Sequence, residues 1–434
     1  MLYTANRSSR PLELVIRAAS RRTGFASFKG PWGTVLTWGD GAAVSPRHDW
    51  ASQVKELLNP ASLESSLPFS GGVVGYVGYE AGRWCERMPS PGAKRALPDL
   101  GLWRTEGGLW LPVGQGDWVA GGTSRFVQEA AEILEEVVGQ SVSVLSSPTG
   151  KIVSSGDPVA FLEGVHRILS FIESGDCYQA NLTRRLLIEN PGSPVDAAIR
   201  LMRQHPAACE ALLSLPDSSW VVCNSPELYL SVEGKAVQTQ PIKGTRPRGS
   251  TKAEDVLLCA ELERDEKERS ELTMIVDMAR NDLSRVCRVG SVQAGSREMK
   301  VLPTVFHAEQ AVRGVLSEGV DAVDAMVATF PPASVTGAPK VRAMEIIGAL
   351  EPVVRGVYTG AVGFFSDGGD AHFSVAIRTA TFAEDMAHVQ VGSGIVADSV
   401  PARELEETNW KAAGWLAALL EPNVVPSWSQ EVGV

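Results

Sequence analysis

At 434 residues, with 44% hydrophobic and 21% charged side chains, the chain has ample material for one large globular core or two to three ordinary ones. Its 40 basic and 51 acidic residues give a net charge of −11, which argues against nucleic acid or an anionic membrane surface as the main partner. An acidic protein that binds an anion must then supply local positive groups or a cation. Six cysteines without a Cys-x-x-Cys pair read as reduced, mostly buried thiols, not as a disulfide frame or zinc site. There is no apolar core of signal-peptide length near the N-terminus. The longest apolar stretch, residues 412–420, is too short to span a bilayer, so a cytoplasmic protein is expected.

Residues 1–145 are rich in Gly, Trp and short apolar runs such as 71–79, which predicts short strands with tight crossings. Residues 146–158 are mostly Ser, Pro and Gly and read as a linker. Asp157-Pro158 predicts a helix start, followed by Phe161, Val165, Ile168 and Ile172 at helical spacing and closed by Gly175. Residues 220–223, 228–232 and 236–239 read as strands, the last two joined at Glu233-Gly234. Residues 241–249 read as a Gly/Pro-rich turn holding Lys243, Arg246 and Arg248. Thr251 and Glu254 form a capping box that opens a charged helix. Before the helix carrying Val341, Met344 and Ile347, Thr336 or Gly337 is the expected cap, with Pro339 in the first turn. Residues 360–365 and 373–379 read as strands around the turn 367–370. Alternation in the second places Arg378 on the face opposite Phe373, Val375 and Ile377. No repeat is visible, and strands mix with helices without a βαβ rhythm, so the fold class is α+β.

Several groups of residues have chemical potential. Glu268 and Glu271, and likewise Glu404 and Glu407, sit three apart, each pair on one helical face. Four converging carboxylates would make a hard oxygen site suited to Mg²⁺, although each pair alone also fits a solvated face. Lys243 in its turn is either a solvated surface lysine or a nucleophile or base beside an anion site. The helix start after Ser334 offers free N–H groups, and Gly392-Ser393-Gly394, placed after a strand at 389–391, would let a carboxylate approach backbone N–H groups. His307 and Tyr358 are single residues for which a packed structural role is the default.

Taken in order, the segments 175–183, 225–228, 241–245, 277–283, 336–340, 377–379 and 394–399 resemble those of the chorismate-utilising enzymes: anthranilate synthase large subunit, aminodeoxychorismate synthase component I, isochorismate synthase and salicylate synthase. The likeness is strong from about Phe161 to Leu416. It implies the chorismate-binding fold, two packed sheets flanked by helices, with an N-terminal region at 1–145 and a catalytic domain at 155–420. Glu271 and Glu407 match the family's Mg²⁺ ligands, with Glu268 and Glu404 as supporting carboxylates. The ring carboxylate of chorismate would also meet N–H groups at Gly392, Ser393 and Gly394. Arg378 and Tyr358 match groups on the enolpyruvyl carboxylate, Ser334, His307 and Thr245 further contacts, and Glu227 the acid that protonates the departing 4-hydroxyl.

Residue 243 divides the family. Anthranilate synthases resemble Pro-Ile-Ala-Gly-Thr here, aminodeoxychorismate synthases carry lysine, and members that activate water carry a lysine at the position of Gln179. Gln179 with Lys243 therefore implies amination of chorismate to 4-amino-4-deoxychorismate, for 4-aminobenzoate and folate, through covalent attack by Lys243. A free lysine of pKa ~10.4 is only about 0.1% neutral near pH 7.5, and desolvation, Arg246, Arg248 and Mg²⁺ are expected to raise that fraction. Ammonia would come from a separate glutamine amidotransferase subunit, since no cysteine sits in a glutaminase motif. The rivals are anthranilate synthase component I and a non-catalytic amidotransferase-binding subunit. Tryptophan-binding members carry Leu-Leu-Glu-Ser where this chain has Phe25-Ala26-Ser27-Phe28, which leaves regulation open.

Overall fold

The computed structural model describes residues 2–5, 10–59, 67–86, 95–114, 116–142, 144–302 and 305–422. Among these, two large antiparallel sheets carry the fold, and the expected α+β class with packed sheets and flanking helices is borne out. In the first sheet, strands Leu2–Ala5, Trp118–Gly122, Gly107–Pro112, Gly33–Thr37 and Ala26–Gly30 continue into Cys209–Ser214, Trp220–Ser225, Thr379–Ala383, Met386–Ile395 and Gln179–Glu189. The second runs from Ile242–Pro247 through Val305–Val315, Ala236–Gln240, Leu228–Glu233, Ala371–Val375 and Ala361–Ser366 to Gly72–Val77 and Leu100–Thr105. Strands from both sides of residue 150 thus share each sheet.

Alternation along the strands feeds four cores, the smallest of which joins Phe161, Val165 and Ile168 to Leu182 and Ile395. Phe28, Phe69, Tyr76 and Phe364 fill the space between the sheets. The outer face of the first sheet packs against helices Leu12–Ala19, Ser124–Glu136, Pro194–Gln204 and Pro401–Leu419 through residues such as Ile16, Ile133, Ile199 and Trp415. The second sheet is covered by Glu266–Ser284 and Ala322–Thr329, with Leu272, Ile275, Val276 and Met326 buried. Each such fully buried side chain contributes roughly 1.5–3 kcal/mol of transfer free energy.

Two crossings between the sheets position the chemistry. The chain leaves the first sheet at Ser225 and enters the second at Leu228, with Glu227 between; it returns from Val375 to Thr379, with Arg378 between. The crossings run side by side, because Trp220–Ser225 pairs with Thr379–Ala383 in one sheet and Leu228–Glu233 with Ala371–Val375 in the other. Asn224 N–H donates to the Arg378 carbonyl at 3.0 Å and Val375 N–H to the Glu227 carbonyl at 3.1 Å.

Some expectations are corrected. Arg378 is not in a strand: its φ is +50°, in the left-handed region, because it turns the chain from one sheet to the other. Residues 242–247 are not a turn but the edge strand Ile242–Pro247, where a terminal proline is tolerated. A bulge at Gly244, φ +82°, sets Lys243 opposite Ala308 and Thr245 opposite His307. The 392–394 segment does not follow a strand; it is the end of Met386–Ile395, paired with residues 181–183. The 146–158 stretch is tied down: Lys151–Ser154 pairs with Gln179–Glu189, and Ser146 N–H donates to Asp196 at 3.1 Å. Helix Lys340–Leu350 starts from Pro339 without a side-chain cap, and Thr336 instead donates its hydroxyl to the carbonyls of Pro332 and Ala333. Asp157 does cap Pro158–Glu173, accepting from Val159 and Ala160.

Candidate functional site

Helix Glu266–Ser284 starts at Asp265, whose side chain accepts from Glu268 N–H at 3.1 Å. Glu268 and Glu271 therefore lie in its first two turns, where the helix dipole favours negative charge. Glu271 Oε2 stands 3.7 Å from Lys243 Nζ, and its Oε1 3.9 Å from Lys267 Nζ. Burial raises the Glu268 carboxyl above its ordinary range and the charge of Glu271 adds to that, against Lys243 and Arg246. Helix Pro401–Leu419 brings the second pair. Burial alone would raise Glu407, but Lys411, Lys243 and Lys267 outweigh it and hold the carboxyl below its usual range. Glu404 is buried one turn earlier.

The donor set is hard, anionic and fed from two helices, which suits a divalent oxygen-seeking cation. Among the described residues, however, no three of these groups close on one point, and Lys243, Lys267 and Lys411 neutralise the carboxylates instead. Arg246 and Arg248 do not act as free cations beside Lys243. Arg246 pairs with Glu261 and Asp265, and Arg248 with Asp255.

Around the Lys243 amine the space is tight and polar. A Cβ placed on Gly394 would lie 3.2 Å from Lys243 Nζ, 2.9 Å from Gln179 Nε2 and 2.8 Å from Asn181 Oδ1. Gln179 is fully buried, and both atoms of its amide lack a partner. Buried amides are seldom left unpaired, so this one is aimed at a missing polar group. Ser393 Oγ is buried and unpartnered in the same way, and Ser334 Oγ is buried facing the Glu227 carboxyl. Beyond Val389 the strand Met386–Ile395 loses Thr379–Ala383 as a neighbour, and Lys411 Nζ donates to the Gly392 carbonyl at 2.8 Å.

On the other side, Glu227 is 4% exposed. Burial pushes its carboxyl up to about 7, against the opposing influence of Ser334, Lys243 and the Ile242 N–H. Glu227 and Ser334 line one cavity beneath the second sheet, together with Pro241. His307 shares a 2.9 Å hydrogen bond between Nδ1 and Thr245 Oγ1. Its imidazole is held down at about 4, first by burial and then by the Arg378 cation, so it is neutral. Arg378 makes no ion pair among the described residues. Burial lowers its guanidinium, while Tyr358 and Glu407 oppose that shift. Burial raises the Tyr358 hydroxyl, which stays protonated.

Lys243 thus stands beside Glu271 and Gly394 and acts on the charges of Glu227, Glu268 and Glu407, while Arg378 acts on His307, Tyr358 and Glu407. Sequence reasoning missed Asn181, Lys267 and Lys411. Lys411 carried a signal, being four residues after Glu407 on one helix face. Lys267 carried the same signal, being four residues before Glu271 on one helix face, and Asn181 carried none by spacing alone.

A family model described as chorismate binding enzyme matches residues 16–417. Anthranilate synthase component 1 of Streptomyces coelicolor is 39% identical over 385 residues, covering 81% of this chain and 73% of that protein. Aminodeoxychorismate synthase component 1 of Bacillus subtilis is 34% identical over 404 residues, covering 89% and 84%. The crystal structure of anthranilate synthase component I from Streptococcus pneumoniae superposes with a TM-score of 0.76 at 31% identity, covering 89% of both chains. The menaquinone-specific isochorismate synthase of Escherichia coli gives 0.77 at 17% identity, covering 96% of this chain and 94% of that one, which speaks for the fold alone. The site therefore stands in a chain that belongs to the chorismate-binding enzyme family, and the relatives of this chain include proteins named anthranilate synthase component 1 and aminodeoxychorismate synthase component 1.

Proposed function

We propose that this enzyme is an aminodeoxychorismate synthase component I, converting chorismate and ammonia to 4-amino-4-deoxychorismate and water. The observation that carries the reading is Lys243, with Nζ 3.7 Å from Glu271 and within reach of the acid Glu227, while position 179 holds a glutamine and not a second basic group. Arg378 and Tyr358 bind the enolpyruvyl carboxylate, and the N–H groups of residues 392–394 receive the ring carboxylate. Glu271 and Glu407, backed by Glu268 and Glu404, would hold Mg²⁺. When bound, Mg²⁺ supplies an electrophilic grip on the ring carboxylate and relieves the ammonium groups now paired there.

In the first step the neutral Lys243 amine forms a bond to C2. The C1–C2 and C5–C6 double bonds shift to C1–C6 and C4–C5, and the 4-hydroxyl leaves as water with the proton of Glu227. Ammonia then bonds to C4, the double bonds return, and the C2–N bond to Lys243 breaks. Buried Gln179 and Asn181 border the amine and exclude bulk water from it.

Five of the six thiols are raised by burial, Cys85 and Cys209 to about 12, which is the opposite of an activated glutaminase nucleophile. A glutamine amidotransferase subunit is therefore the proposed partner, and the compartment is the cytoplasm. No helix among the described residues is long and apolar enough to cross a membrane.

A second reading, anthranilate synthase component I, is favoured by the S. coelicolor relative of that name. Mass-spectrometric product analysis with chorismate, Mg²⁺ and ammonium separates them. The aminodeoxychorismate mass supports the first, and anthranilate with free pyruvate replaces it by the second.

A further inference from the structure

Behind the Arg378 crossing lies a second cleft, which shares only Tyr358 with the residues of the proposed chemistry. Its floor is a face of the first sheet. Arg185 stands directly across from Gln390 in one ladder, and His388 directly across from Thr381 in the next. Opposed residues share a face, and His388 and Gln390, two apart on one strand, share it as well. The intervening Val389 and Val391 point the other way, into the core beneath the helices. The roof is the 354–358 segment with Arg355 and Tyr358, and Arg95 stands at the rim.

The charges around this cleft do not balance. Arg355 is paired with Glu351 at 2.7 Å and Arg95 with Asp99 at 2.5 Å. Arg185, half-buried, has no hydrogen-bond or ion-pair partner from its side chain among the described residues. His388 Nδ1 is buried and also lacks a partner. Burial and the Arg185 cation hold that imidazole at about 4, so it is neutral and can donate or accept according to tautomer; the exposed Glu384 acts weakly against them. Arg185 keeps part of its surface open to solvent, and a half-buried guanidinium without a counter-ion is a ready partner for one negative charge.

We propose that this cleft binds a small carboxylate monoanion, seated on the Arg185 guanidinium, with the His388 imidazole and the Thr381 hydroxyl beside it. The site goes beyond the chorismate reading and stands or falls separately from it.

The test uses the full chain without Mg²⁺, at constant ionic strength set with chloride. Acetate, pyruvate and inorganic phosphate are titrated by ligand-observed NMR against the wild type, Arg185→Gln, Arg185→Lys and Arg378→Gln. Carboxylate binding should be weakened about tenfold or more by Arg185→Gln, the scale of one charge-assisted hydrogen bond, partly restored by Arg185→Lys, and retained by Arg378→Gln. Arg185→Gln should keep chorismate turnover, which also verifies its fold. The proposal is overturned if Arg378→Gln abolishes binding while Arg185→Gln leaves it intact. It is equally overturned if the wild type binds neither carboxylate at tens of millimolar, or if phosphate binds about tenfold better than both carboxylates.

Discussion

Lys243 Nζ lies 3.7 Å from Glu271 Oε2, which ties the edge strand of the second sheet to the first turns of helix Glu266–Ser284. Both side chains are mostly shielded, at 16% and 13% exposure, so the pair is neither a solvated surface bridge nor a sealed one. It couples the proposed nucleophile to the proposed metal ligand. Were Glu271 to hold Mg²⁺, the Lys243 ammonium would lose this counter-ion, which would favour its neutral form.

The first prediction follows from that coupling. Lys243→Ala should lower turnover at least about a thousandfold, as loss of a covalent nucleophile does, with under ~1 kcal/mol change in stability because the ion pair is partly exposed. Lys243→Arg should be equally inactive, since guanidinium stays protonated. Intact-protein mass spectrometry with chorismate, Mg²⁺ and no ammonia should reveal an adduct that digestion places on the Lys243 peptide. Near-normal turnover by the arginine variant, with no adduct on the wild type, would reduce Lys243 to an electrostatic contact.

The carboxylates give the second. Glu271→Gln and Glu407→Gln should each raise the Mg²⁺ concentration needed for half-maximal rate by about tenfold or more, while circular dichroism stays unchanged. Glu407→Gln also frees Lys411 from its 2.5 Å contact, so its effect should exceed that of Glu406→Gln, a neighbour on the same helix. Unaltered Mg²⁺ dependence in both ligand variants would remove them from the metal site.

How much of this was legible in the sequence depends on range. Asp157-Pro158 as a helix start is local chemistry, and it reads correctly. Ile242–Pro247 reads as a turn because Gly244, Pro247 and the preceding Pro241 are turn residues; only the distant partner Val305–Val315 makes it a strand, with Gly244 as its bulge. Arg378 was placed by extending an alternation beyond Val375, where the chain changes sheets, a tertiary event that no period encodes. Gly392-Ser393-Gly394 resembles a turn for the same reason that it serves the site: glycine leaves room, here for the Lys243 amine. The glutamate pairs were readable as pairs. That Lys243 and Lys267 act on carboxylates from both pairs came only with the fold.

Gly394 supplies the third prediction. A methyl group there would stand 2.8–3.2 Å from Asn181 Oδ1, Gln179 Nε2 and Lys243 Nζ, inside ordinary contact distance. These are side-chain tips, which can shift, so Gly394→Ala should fold with a loss of no more than about 1–3 kcal/mol. The displaced amine, however, loses its line to the substrate, and misplacement by about 1 Å costs on the order of a hundredfold in rate. Chemical denaturation and steady-state kinetics on the same preparation measure both. A variant with normal kcat and KM would show that this space is not where the ring carboxylate sits.

Glu227 supplies the last. Its carboxyl is raised from the ordinary 4.5 to about 7 by burial, so it is the protonated form that the fold prefers. Between about 4.5 and 7 the folded chain holds a proton that the unfolded chain has released, and stability contributed by this group falls as pH rises through that window. Below it both states are protonated, and above it both are ionised, so the slope vanishes on either side. The full difference is about 3 kcal/mol at ~1.36 kcal/mol per pH unit. Glu227→Gln removes this slope and should be the more stable chain at pH 8, while at pH 5 the two should differ little. Catalysis follows the same proton: kcat/KM should fall above pH ~7 in the wild type, as the acid ionises, and Glu227→Gln should lose about 10²–10⁴-fold with no such fall. Urea unfolding at pH 5 and 8, alongside the pH–rate profile, measures both consequences. A wild-type rate that stays flat from pH 6 to 9, with equal stabilities at both pH values, would take the role of general acid away from Glu227.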